Sequence, residues 1–426
     1  MLKFAIADIR RYMAEQNSYR WYILAASFLI LVIDGGVRFS FGVLIKPLVA
    51  EFSWERGAIT LAYTLNMLVF ACCQPLAGKL LDRFGPKRLF TASALVTSAG
   101  LLLTSQTMSL WDLYWSYGVV TAAGISGISI AVISSTLSRW FKQLRVFMSG
   151  VAISGTALGQ FLVIPLIALL LEKFGWRWTW ASLGILLFLV IVPISLLVMK
   201  SNPAEKEQAL AGAATRQKTG DAEKSSSDSS PGVYAVLRSK NFLLVGASYF
   251  ICGFQDFLFV TQMIPFATDQ GLTAQEASNL QGLAGLLSIP GLLIFAAVSE
   301  KLGRKIPLFL TFVPRLVCFA LLIFFDGTFW IYASALLFGF TLMGLAPLGA
   351  ALVGELYGFK HIGTLTGVIF WVHHLGGALG AYLGGFTHDL TRSYLMAFSI
   401  ALVLAFVALL TSVSIRAQRA ASAAPI

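Results

Sequence analysis

Six ionisable side chains lie inside long apolar runs of this sequence: Asp34, Arg38, Asp256, Arg315, His373 and His374. A charge near the middle of hydrocarbon costs roughly 2.5–3.5 kcal/mol on insertion scales, which makes such residues functional candidates by default. An arginine matches the fork of a carboxylate, and a histidine can change charge near neutral pH. Asp34 and Arg38 are four residues apart, so on a helix they share one face. They either neutralise each other or leave Arg38 free to hold an anion. Arg315 reads as a structural cation paired with Asp256 or a helix carbonyl, or as a second anion contact. Trp371 precedes the adjacent His373 and His374, which must point in different directions. Gln262, like Gln74, Gln160, Gln255 and Gln281, adds a polar group that serves either as ligand or as helix-to-helix bond. The expected binding set is therefore Arg38, Arg315, Trp371, His374 and Gln262. The expected proton-handling set is Asp256, Asp34 and His373.

The elements that position these groups follow from composition. Of 426 residues, 57% are hydrophobic and 12% charged, where a soluble domain carries roughly 25% charged residues. Stretches such as Trp21–Val49 and Ala181–Met199 can each cross about 30 Å of hydrocarbon. The pattern predicts an all-α membrane protein of twelve spans, near 20–49, 57–81, 88–106, 111–138, 146–171, 179–199, 242–268, 277–299, 306–325, 329–354, 362–387 and 393–415. Residues 201–240, with the run Ser225-Ser226-Ser227-Asp228-Ser229-Ser230, read as a flexible linker that divides the spans six and six. The expected division is thus 1–19 N-terminal segment, 20–200 first bundle, 201–240 linker, 241–415 second bundle and 416–426 tail. Residues 2–16 form either an interfacial helix or a tail.

The net charge of +11 comes from short Lys/Arg clusters between spans. They alternate with loops such as Ser105–Trp111 that have none, which places both termini and the linker in the cytoplasm. The basic balance is topological, so nucleic acid is not an expected partner. All four cysteines (Cys72, Cys73, Cys252, Cys318) fall in apolar spans without CxxC spacing. No disulfide, metal site or cofactor is expected.

The halves repeat. Gly78-Lys79-Leu80-Leu81-Asp82-Arg83-Phe84-Gly85-Pro86-Lys87-Arg88 closes the second span. Ala296-Ala297-Val298-Ser299-Glu300-Lys301-Leu302-Gly303-Arg304-Lys305 closes the eighth, 218 residues later. At about that offset Pro47 matches Pro265, Gly150 matches Gly367, and Arg38 matches Asp256. Repeated halves with sites near the bilayer midplane suit alternating access.

The first of these strings resembles the loop 2–3 signature of the major facilitator superfamily. The resemblance implies that Gly78, Asp82, Arg83, Gly85, Lys87 and Arg88 form a gating motif, with Asp82 helping to hold one conformation. The segment Trp140–Gly155, with Thr156-Ala157-Leu158-Gly159 and Phe174-Gly175-Trp176-Arg177, resembles the monocarboxylate porter branch. Phe370–Gly377 is similar to the eleventh span of that branch and of oxalate–formate exchangers. Leu292 and Leu293 stand where many members carry a carboxylate-binding arginine, so here the anion contact falls to Arg38 and Arg315. The implied protein is a secondary transporter of a small organic anion, a monocarboxylate, coupled to protons by symport. It would act as a monomer in lipid, multi-pass in the cell membrane. The alternatives are an efflux pump for amphipathic compounds and a non-transporting sensor of the same fold. No nucleophile–base arrangement or nucleotide loop is visible, so an enzyme is not expected.

Overall fold

The computed structural model describes residues 19–141, 145–200, 233–302, 305–345, 348–357 and 362–415. Long apolar runs with few internal turn signals can satisfy their backbone in lipid only as helices, and among the described residues there is no strand. In chain order the helices are α1 Tyr19–Phe39, α2 Phe41–Phe52, α3 Arg56–Thr104, α4 Leu110–Leu113, a π-helical turn Tyr114–Thr121, α5 Ala122–Ser126, α6 Ile130–Trp140 and α7 Arg145–Leu197. The second half contains α8 Val233–Leu237, α9 Lys240–Asp269, α10 Ala274–Leu302, α11 Lys305–Phe324, α12 Thr328–Leu342, α13 Leu348–Tyr357, α14 Ile362–Thr391 and α15 Leu395–Ser414. Eight helical stretches among the described residues are long and apolar enough to span a bilayer.

Two expected loops are single-residue breaks inside continuous helical runs. A straight helix of the 49 residues of α3 would be roughly 70 Å long, more than twice the hydrocarbon thickness. Gly85 interrupts it at φ 76°, ψ 168°, a region essentially reserved for glycine. Both ends of α3 then meet one π-helical turn: Tyr114 Oη donates to Ala58 O at 3.0 Å, and Thr104 Oγ1 donates to Ser116 Oγ at 3.0 Å. The run therefore folds back as a hairpin. Gly175 breaks α7 in the same way, at φ 78° and ψ 171°. The first expected span is likewise divided, at Ser40, whose hydroxyl donates to Val37 O at 2.8 Å. Within the expected linker 201–240, Val233–Leu237 is helical and α9 begins at Lys240. Residues 201–232, the N-terminal segment 1–18 and the tail 416–426 lie outside the described residues.

Within the halves, α1 packs along α7 and α9 along α14. The second contact is close because Gly253 faces the His373 carbonyl and Gly376 faces the Phe250 carbonyl, where any side chain would collide with backbone. Between the halves, α14 packs on α3, α10 on α7, and α9 on α2. The molecule has two ends: one bears Gly85 and the start of α9, the other Gly175 and the end of α9. They are called here the Gly85 face and the Asp269 face.

Candidate functional site

The six intramembrane ionisable residues do not form one cluster. They divide into two sets, one whose arginine is saturated by an acidic partner and one whose arginine is not.

In the saturated set, Arg315 of α11 is fully buried, and its Nη2 stands 2.7 Å from Asp256 Oδ1 of α9, a charge contact inside the second half. Arg315 also donates from Nη1 to Cys252 O (3.3 Å), from Nη2 to Thr341 O (3.2 Å) and from Nε to Thr341 Oγ1 (3.1 Å). The other carboxylate oxygen, Asp256 Oδ2, meets Cys252 Sγ and His373 Nε2, each at 3.2 Å. Chain spacing gave no sign of a metal site, yet folding brings Cys252, Asp256 and His373 ligand atoms within 4.8 Å of one another. Arg315 Nη1 stands 3.4 Å from the same thiol, so a cation held there would meet the guanidinium. Taking two charges out of water is tolerable when both are paired, and Arg315 and Asp256 are paired, although Asp256 Oδ1 and His373 Nδ1 have no hydrogen-bond partner.

The unsaturated set is built across the halves. Arg38 of α1 is buried but forms no ion pair with Asp34, contrary to one of the two alternatives that their spacing left open. Among the described residues no carboxylate lies within 4.0 Å of its guanidinium. Instead Nη2 donates to His374 Nε2 of α14 at 3.1 Å, and the guanidinium carbon lies 4.0 Å from the centre of the Phe70 ring and 5.9 Å from that of Phe257. Arg38 Nε is buried and has no acceptor, and Asp34 Oδ1 is buried and has no donor. An orphaned buried donor or acceptor costs on the order of 1–3 kcal/mol, so these two atoms mark where a ligand or proton would be welcome. Trp371 is 45% exposed one turn from His374 on α14, toward the Gly85 face. Gln262 is fully buried, with Nε2 3.4 Å from Thr261 Oγ1, its Oε1 unpartnered and its stem against Gly384.

Above this level the halves are sealed together. On the Asp269 face, Lys46 Nζ and Arg56 Nη1 of the first half meet Asp269 at 2.7 and 2.8 Å. Arg56 N and Gly57 N donate to the carboxylate of Asp389, at 3.1 and 2.5 Å, and Tyr394 Oη bonds both Arg56 and Asp269. Thr64 Oγ1 donates to Ala378 O (2.9 Å) and Gln281 Nε2 to Phe39 O (2.9 Å) below them. Toward the Gly85 face no hydrogen bond or ion pair joins the halves among the described residues, and Leu76 is 55% exposed. The polar contacts between the halves thus gather at the Asp269 face, with Arg38 and His374 deeper in the fold.

Of the expected gating motif, Gly78, Arg83, Gly85, Lys87 and Arg88 lie at the Gly85 face, Arg83 over the Phe84 ring. The Asp82 side chain, Gly303 and Arg304 lie outside what the structure describes. The Asp269 cluster was not foreseen. The available signal was positional: Asp269 stands 218 residues after Glu51, the offset of the repeat.

Two helical halves with a polar site between them, in a chain with membrane-spanning helices, form the architecture that alternating-access transporters use. The family comparison makes that specific: the model of the Major Facilitator Superfamily matches residues 27–255 and 245–425. The chain belongs to that superfamily. It is 25% identical over 391 residues to the uncharacterized MFS-type transporter YcxA of Bacillus subtilis (strain 168), covering 90% of this chain and 92% of the relative. It is 25% identical over 400 residues to monocarboxylate transporter 13 of Bos taurus, covering 92% and 88%. Among solved structures, the nucleoside transporter NupG superposes with a TM-score of 0.74 at 13% identity, covering 93% of this chain and 100% of that one. A bacterial homolog of the human lysosomal transporter Spinster, inward-facing and unoccupied, superposes with a TM-score of 0.70 at 15% identity, covering 95% and 100%. These likenesses establish a multi-pass transporter fold that resembles the monocarboxylate branch.

Proposed function

We propose that this protein is a secondary transporter of a small organic monoanion, a monocarboxylate, that works by alternating access with Arg38 as the anion anchor. The observation that carries this reading is the contrast between Arg38 and Arg315, the two arginines among the six intramembrane ionisable residues. Arg315 is paired with Asp256, whereas Arg38 has no acidic partner within reach and an unused buried Nε donor. A guanidinium held in this way has the planar donors that a carboxylate needs. The similarity to monocarboxylate transporters 12 and 13 points to the same class.

Charge accounting favours proton coupling. Arg38 and ionised Asp34 sum to zero without touching, and an incoming monoanion makes the site negative. A proton on Asp34 restores neutrality, so anion and proton enter together. Asp256 is the poorer carrier, because protonating it leaves Arg315 charged and unpaired in a fully buried place. By the positive-inside bias the Gly85 face is cytoplasmic, and the clasp at the Asp269 face supports a state closed toward the outside. A reporter fused after Lys240 should then be found in the cytoplasm.

The deciding experiment is uptake into proteoliposomes of labelled lactate, pyruvate, formate and oxalate, with and without an inward proton gradient. At least one monoanion should accumulate when the gradient is applied, and oxalate as a dianion should not. Accumulation of uncharged amphiphiles alone would replace this reading with an efflux pump. Tight binding of an anion without turnover would replace it with a sensor.

A further inference from the structure

His374 is one of two adjacent histidines, and its hydrogen bonds fix its chemical form. Its Nδ1 lies 2.7 Å from Phe370 O, and its Nε2 lies 3.1 Å from Arg38 Nη2. A carbonyl can only accept and a guanidinium can only donate. The ring therefore carries its proton on Nδ1 and offers a lone pair at Nε2. A doubly protonated ring would set N–H against N–H. The groups that face the ring agree with this form: Arg38 from α1 is the one charge, α3 and α9 present Phe70 and Phe257, and His373 is its neighbour on α14.

From this arrangement we infer that His374 is a positioning residue, a neutral lone pair that holds the Arg38 guanidinium in place without cancelling its charge. The inference rests on Arg38 being the anion anchor and adds what keeps it usable. A flexible arginine must be held by something if its donors are to face a ligand. A carboxylate would do so, as Asp256 does for Arg315, but in direct contact it would take the donors and the field that an incoming anion needs. An imidazole in one tautomer takes a single N–H, braces the ring against its own helix turn, and leaves Nε and the remaining donors for the cargo. His374 is thus not a proton carrier, and of the two histidines only His373 stands next to a carboxylate. The partners belong to different halves, 336 residues apart, so the anchor is aimed only when α1 and α14 are together.

The test needs no knowledge of the cargo in its first arm. In protein labelled with 15N-histidine, four rings contribute signals, and His374 is assigned by its loss in His374→Gln. The expected result is an Nδ1–H tautomer whose Nε2 resonance moves in Arg38→Met. An Nε2–H tautomer, or a resonance indifferent to Arg38→Met, overturns the inference. The second arm uses uptake of labelled pyruvate and lactate. His374→Ala should raise KM about tenfold, the loss of one hydrogen bond to a charged group. His374→Gln, whose amide oxygen can accept from Arg38, should recover most of that loss. His374→Glu has the same shape but neutralises the guanidinium, and uptake should disappear with the melting temperature unchanged. Equal behaviour of the Gln and Glu variants overturns the inference. If Arg38→Met itself transports pyruvate and lactate normally, the anchor reading fails instead, and the first arm still decides whether His374 holds Arg38.

Discussion

Glu51 and Asp269 hold equivalent places in the two halves, 218 residues apart, and each carboxylate accepts a hydrogen bond from an aromatic side chain 125 residues further on, Trp176 and Tyr394 respectively. The two then diverge. Glu51 pairs with Arg177 of its own half, whereas Asp269 reaches Lys46 and Arg56 of the other. One copy of a repeated contact has become the clasp that shuts the Asp269 face.

Opening that face should therefore depend on Asp269 and not on Glu51. In a background with Cys72 and Cys73 replaced by Ser, a cysteine at position 64 sits beneath the clasp. Asp269→Asn should raise its labelling by a membrane-impermeant maleimide by about two- to fivefold, the scale of a partly exposed ion-pair network. Glu51→Gln should leave the rate unchanged. Equal labelling in wild type and Asp269→Asn would show that the clasp does not hold this face.

Arg38 and Arg315 should fail differently. Arg315→Met strands Asp256 in a dry interior, and stability should fall by about 3–5 kcal/mol. Arg315→Met combined with Asp256→Asn removes both charges and should recover much of that loss. Arg38→Met should keep its melting temperature and lose anion binding. Thermal unfolding in detergent measures the first effect, and a melting shift with added pyruvate or lactate the second. A stable Arg315→Met protein would mean that the pair contributes little.

Asp34→Asn should preserve exchange of external for internal anion and lose accumulation driven by a proton gradient, because the amide cannot take up the compensating proton. Counterflow and gradient-driven uptake, measured on one preparation, separate the two activities. Wild-type accumulation by Asp34→Asn would move the coupling role to Asp256 or His373.

Gly85→Ala should lower stability by about 1–3 kcal/mol, since it places a side chain in a backbone region open almost only to glycine. Gly78→Ala, in open space with no unusual backbone angle, is the control and should melt like wild type. A Gly85→Ala protein as stable as that control would mean that the α3 hairpin relaxes its turn at no cost.

The helical spans, the repeat and the six intramembrane ionisable residues were legible in the sequence because each is a property of local composition and spacing. Their partners were not. Spacing allowed Asp34 to pair with Arg38, but the Arg38 side chain reaches instead to a helix hundreds of residues away, and only the packing of the halves, α14 against α3 above all, decides that. The pairing of Arg315 with Asp256, by contrast, was one of two readings open from sequence. The Asp269 cluster was hidden because Arg56, Asp269 and Asp389 stand at or near helix ends, where charged residues usually meet water. Phe70 and Phe257 were indistinguishable from any other aromatic in a chain with 33 phenylalanines.

The start of α3 has no side-chain cap of its own at Glu55. Its first two amides, Arg56 N and Gly57 N, are satisfied by Asp389 of the opposite half. A helix end left without an acceptor must find one, and once the halves part, water is what remains. Parting this face is thus a hydration reaction as well as a rigid-body motion, with solvent as a stoichiometric participant. Excluded osmolytes, which oppose the wetting of newly bared surface, would bias the protein toward the state described here without touching its cargo site.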